Sequence, residues 1–84
     1  MLSKHPKIVA VYWEDAAFVQ GNNMSRREVH ELEPTFQTSV GFLMERSKER
    51  IILAGSIVES GEETGYNDIL TIPSAMVRSV KFLR

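Results

Sequence analysis

Apolar and polar positions along this chain alternate over most of its length, the period-two pattern of β-strands, and charged turns interrupt the runs. Residues 8 to 13, Ile-Val-Ala-Val-Tyr-Trp, are β-branched or aromatic and apolar on both alternating faces, with Glu14 and Asp15 as the expected stop. Gly21, Asn22 and Asn23 mark a loop. Ser25 followed by Glu28 forms an S-x-x-E capping box, which predicts a helix running to about Glu33, where Pro34 ends it. Val29 and Leu32 would give that helix a narrow apolar stripe for docking on a sheet.

From Phe36 to Glu45 the period is two again, with Val40, Phe42 and Met44 on one face and Gly41 and Leu43 on the other. After a polar turn over residues 46–49, Arg50 to Glu59 predicts a strong strand that is again apolar on both faces. Such a strand must be covered twice, by a strongly bent sheet closing on itself or by another subunit. Gly55 inside it, and Gly41 at a comparable place in the strand before, predict a shared bend. Residues 61–67 read as an acidic loop, Ile69 to Ile72 as a short strand closed by Pro73, Ser74 to Met76 as one tight turn, and Val77 to Leu83 as the last strand. The expectation is one mostly β domain: a five-stranded, strongly bent, SH3-like small barrel with one short α-helix between its first and second strands.

Size and composition sharpen this picture. A domain of 84 residues buries only about 60% of the surface its unfolded chain exposes, so its own core is thin and oligomerisation commonly completes it. There is no cysteine, which excludes disulfides and thiolate metal sites. The run Ile8 to Trp13 is too short for a signal peptide or a membrane span, so a soluble, cytoplasmic protein is expected. Net charge is −1 and the isoelectric point is near 6.1, so no global basic field draws in nucleic acid. Charge is nevertheless segregated: Glu59, Glu62, Glu63 and Asp68 form a stretch without a base, and Arg78, Lys81 and Arg84 one without an acid.

Two segments resemble the two halves of the Sm/LSm signature. Gly41, Leu43 and the run Ile51, Ile52, Leu53 reproduce the spacing of the first half, and Ile72, Val77 and Val80 occupy the aliphatic positions of the second. Together they cover roughly half the chain. The chain is also similar to small Sm-like proteins of cyanophage and marine-metagenome origin, which form homo-oligomeric rings and have no assigned function. Arg46 and Arg50 stand where the family's RNA-contacting loop usually carries aspartate and asparagine, and Pro73 and Ser74 replace its Arg-Gly pair. The helix also departs from the family, which typically carries one before the first strand.

The resemblance implies a homo-oligomeric ring in which the fourth and fifth strands pair between neighbours, so that Ile69, Leu70, Ile72, Val77, Val80 and Phe82 belong to the interface. It further implies binding of RNA or single-stranded DNA, in phage or bacterial nucleic-acid processing. The candidate contacts are Arg46, Lys48 and Arg50 in one turn and Arg78 and Lys81 in the last strand, because a ring repeats modest local charge into a band that tracks phosphates. Arg26 and Arg27, in the helix's first turn, are weaker candidates beside Glu28 and Glu31. Among the aromatics, Trp13 and Tyr12 alternate and cannot both face one core; Phe36, Phe42 and Phe82 read as core, and Tyr66 as exposed. The competing reading is a non-enzymatic structural or protein-interaction module, such as a virion or adaptor component.

Catalysis is not expected. His5 and His30 are far apart in sequence, no spacing matches a metal motif, and no serine sits in a nucleophile elbow. No cofactor, metal, membrane or small-molecule substrate is implied.

Overall fold

In the computed structural model, residues 6–15 and 22–83 are described; the readings made for His5, Gly21 and Arg84 lie outside them. Five strands, β1 (Ile8–Asp15), β2 (Thr35–Arg46), β3 (Arg50–Ser60), β4 (Glu63–Pro73) and β5 (Val77–Phe82), form one antiparallel sheet in the order β4-β3-β2-β1-β5. The sheet is open. Its edges are β4 and β5, joined by a single 3-10 turn at Ser74–Met76.

Alternation fixes which side chains are inside. Val9, Val11 and Trp13 of β1 are buried with Ile51 and Leu53 of β3 and Ile72 of β4 in one cluster, against which Leu43, Leu70, Met76, Val77 and Val80 pack. Since β1 and β4 are three places apart in the sheet, their side chains can share a cluster only if the sheet curls strongly around it. Tyr12 lies on the other face and is exposed, while the Trp13 indole N–H donates to Ser39 Oγ at 3.0 Å. The polar end of a buried indole is thereby satisfied.

Curling depends on where β2 and β3 stay together. They pair only from Phe42↔Ala54 to Arg46↔Ile51. At the end of that contact, a Cβ on Gly41 would stand 2.8 Å from the Ala54 carbonyl oxygen and 3.3 Å from the Leu53 Cβ. Only glycine allows the backbones so close. A second bend lies between Gly55 and Asp68, whose φ of 55° is left-handed; a Cβ on Gly55 would meet the Asp68 Cβ at 2.9 Å.

Several sequence expectations change. Glu14 and Asp15 do not stop β1, which runs on to pair Asp15 with Thr35. The acidic loop expected over residues 61–67 is mostly strand: β3 and β4 continue pairing to Ser60↔Glu63, leaving a two-residue turn at Gly61 and Glu62. Thr64, Tyr66 and their partners supply β-forming residues that the glycines and acids obscured. The helix α1 (Arg26–His30) is shorter than expected, though its capping box is complete: Ser25 Oγ accepts from the Glu28 N–H and Glu28 Oε1 from the Ser25 N–H. It does not dock on the sheet; Val29 is 51% and Leu32 46% exposed. Phe36 and Phe82, expected in the core, are 41% and 50% exposed, with Phe36 stacked on Tyr12 at a ring separation of 5.3 Å. Among the described residues, the part of the second face that carries Tyr12, Phe36 and Val40 is left exposed.

Three substitutions test this arrangement in urea unfolding. Ile72→Ala is expected to cost roughly 2 to 5 kcal/mol as a core cavity, and Val40→Thr, on the outer face, less than about 0.5 kcal/mol. Gly41→Ala, forced against backbone rather than a flexible side chain, is expected to cost about 1 to 3 kcal/mol.

Candidate nucleic-acid interface

Two β-bulges bring distant basic residues together. In β2 the register shifts by one between Leu43 and Glu45, so that Met44 is extra and Arg46 pairs with Ile51, on the inner side. Under strict alternation, with no bulge at Met44, Arg46 would share the outer face with Phe42. In β5 the register shifts between Tyr12 and Trp13, leaving Arg78 as the extra residue between Val77 and Ser79. Bulges re-aim side chains in this way.

The result is an open cavity of about 360 Å³, lined by Arg46, Ser47 and Lys48 from the β2–β3 turn, Ser74 from the 3-10 turn, and Arg78 and Ser79 from β5, over a floor of Ile51, Val77 and Val80. Hydrogen bonds tie its walls together. The Ser74 hydroxyl donates to the Ser47 carbonyl at 3.0 Å, and the Ser74 N–H to the Glu49 carbonyl at 2.9 Å. Ser47 Oγ in turn accepts from the backbone N–H groups of Glu49 and Arg50, both at 3.2 Å, which closes the turn.

The three cations differ. Arg78 is pinned: it pairs with Glu14 and donates to the carbonyls of Ala75 at 3.0 Å and Val77 at 3.5 Å. Arg46 and Lys48 have no ion pair among the described residues and are exposed. Arg50 lies outside the cavity, beside Glu45, Ser47 and Glu49, and its Nε donates to Glu45 Oε2 at 2.9 Å. That bond, with the attraction of the same carboxylate, raises the guanidinium pKa above its ordinary value. Lys81 pairs with Ala10 and belongs to the outer face. Of the five basic residues singled out from the sequence, Arg46, Lys48 and Arg78 thus converge, and Arg50 and Lys81 do not. Arg27 is held by Glu31 on the helix at 3.1 Å.

The serines at 47, 74 and 79 were not anticipated; nothing in their spacing distinguishes them from other turn serines. Of the residues assigned to an interface, Ile72 is fully buried in its own copy and Leu70, Val77 and Val80 pack on the core, so only their backbone is at an edge. Ile69 and Phe82 are about half exposed. Among the described residues no group of three or more His, Asp or Glu is placed to hold a metal ion, and no helix is long and apolar enough to cross a membrane. Compared with family models, curated proteins and solved structures, the chain matches none.

Stability measurements separate the pinned cation from the free ones. Arg78→Ala removes an ion pair and two carbonyl contacts and is expected to cost about 1 to 2 kcal/mol. Arg46→Ala is expected to stay within about 0.5 kcal/mol of wild type.

Proposed function

We propose that this chain is a non-enzymatic, homo-oligomeric Sm-like protein that binds RNA or single-stranded DNA in phage or bacterial nucleic-acid processing, in the cytoplasm of the cell that makes it. The observation that carries this reading is the convergence of Arg46, Lys48 and Arg78 on one serine-lined cavity, with two of the three cations lacking an ion pair among the described residues. Two cations without an ion pair among the described residues, at an open cavity whose walls are braced by the serine hydrogen bonds, suit a phosphate group, which takes charge-assisted hydrogen bonds from them.

Assembly is supported by the edges. β4 carries Glu63 and Asp68 and no base, whereas β5 carries Arg78 and Lys81 and no acid. Unpaired edges template pairing, and the opposite signs favour β4 of one copy beside β5 of the next over like with like. A heterologous contact of that kind, repeated, closes a ring when its rotation permits. The cavity, lined in part by β5, is then repeated around the axis. The alternative, a protein-interaction module, draws on the exposed outer face with Tyr12, Phe36 and Val40; co-purification of a protein without nucleic acid would favour it.

Titration of a fluorescent oligonucleotide at low and at physiological salt tests the leading reading. Binding is expected to weaken as salt rises, with a slope of about −0.7 per phosphate contacted on a single strand. Arg46→Glu combined with Lys48→Glu is expected to abolish it, while Arg50→Glu has a smaller effect. Absence of binding at both salt concentrations removes the proposal.

A further inference from the structure

Beyond Ala54 and Ile69 the β3–β4 pair leaves the rest of the sheet. β2 no longer accompanies β3, yet β3 and β4 continue through Ser56↔Asn67 and Tyr66↔Ile57 to Ser60↔Glu63. Six residues per strand at about 3.3 Å each give an arm of roughly 20 Å, and the protein's long axis measures 62 Å against 22 and 20 Å across. The direction of the arm is built in. Its base is the Gly55–Asp68 bend, where Asp68 holds a left-handed conformation that residues other than glycine rarely adopt. A two-stranded ribbon is marginal in water by itself. This one also displays Val58 and Tyr66, 48% and 43% exposed.

Its charge is one-sided. From Ile51 to Val77 there are four acids, Glu59, Glu62, Glu63 and Asp68, and no base, while the remainder of the chain sets ten basic residues against seven acidic ones. The surface that fits the arm is therefore basic and partly apolar, and one end of this same molecule has that character. Lys7 and Lys81 are exposed there, without an ion pair among the described residues, next to Phe82 at 50% and Leu83 at 43% exposure. The Leu83 N–H donates to the Ile8 carbonyl at 2.8 Å, which fixes the end of β5 beside Lys7.

We propose that the arm is a clasp: it lies across the Lys7, Lys81, Phe82 and Leu83 end of the next copy. The inference rests on the edge-to-edge assembly proposed above. β4 has eleven residues and β5 six. If the two pair antiparallel, as every strand pair in the sheet does, with Pro73 beside Val77 of the next copy, then Asp68 comes level with its Phe82. Residues 63–67 overhang. Tyr66 then meets Phe82 and Leu83 of the next copy, and Glu62, Glu63 and Asp68 meet its Lys7 and Lys81. The overhang begins at the residue where the arm bends, so the hinge marks the limit of edge pairing.

Sedimentation velocity of the full chain at low and physiological salt tests this with three variants: Glu62→Lys with Glu63→Lys, Lys7→Glu with Lys81→Glu, and all four together. All four positions are exposed, and circular dichroism checks that each variant keeps its fold. Each double variant is expected to raise the dissociation constant of assembly roughly ten-fold, because it removes attraction and adds repulsion at two places. The fourfold variant is expected to return near the wild-type value. If wild type assembles and the arm variant assembles equally well, the clasp is overturned and edge pairing stands. If both double variants weaken assembly without rescue by the fourfold one, the assigned partner surface is overturned. A wild-type chain that stays monomeric at every concentration overturns both the clasp and the assembly it rests on.

Discussion

The close approach of Gly41 to the Ala54 carbonyl governs the rest of this structure. At that point β2 and β3 run nearly against each other and then part, and the parting has three consequences. It curls the sheet, so that Ile51, Leu53 and Ile72 close over Val9, Val11 and Trp13. It leaves β4 and β5 as edges instead of joining them. It also frees the far half of β3, with β4, to project as a ribbon. A side chain at position 41 would have to push the two backbones apart, and all three features would loosen together.

What the curl encloses is small. Among the described residues, seven hydrophobic residues are buried, no polar or charged side chain is buried, and large apolar side chains remain exposed on the outer face, the helix and the end of β5. Each fully buried aliphatic contributes about 1.5 to 3 kcal/mol relative to exposure, and ordering each residue's backbone costs roughly 1 to 2 kcal/mol. With so few buried side chains among its described residues, the sheet gains from any further burial. The sheet edges and the exposed part of the outer face point the same way: association with another surface would supply both backbone partners and apolar cover.

Much of the fold was legible because it rests on local pattern. The period of two placed all five strands, the capping box placed the start of the helix, and the adjacency of Tyr12 and Trp13 required that one of them face outward, as Tyr12 does. The misreadings have physical causes. Val29 and Leu32 form a stripe, but a stripe records only that a helix has an apolar side, not that a sheet lies within reach. Phe36 and Phe82 are strand formers on any face. Glycines and acids at residues 61–65 suggested a loop, although only Gly61, at φ 62°, and Glu62 turn the chain.

The candidate site was legible only in part, for a more specific reason. Arg46 and Lys48 lie near one another in sequence and Arg78 lies far away, and strict alternation would have sent Arg46 to the outer face. Two inserted residues, Met44 and Arg78 itself, change the parity of their strands and bring these side chains to one cavity. A bulge leaves no mark in a hydrophobic pattern that happens to be apolar on both sides of it, as Leu43 and Met44 are. The same geometry divides labour among the cations. Arg78 is committed to Glu14 and to two carbonyls and so fixes the wall, whereas Arg46 and Lys48 have no ion pair among the described residues. A site with one immobilised and two uncommitted cations presents a defined position and an adaptable charge together, which suits a repeated anionic backbone better than one rigid small anion.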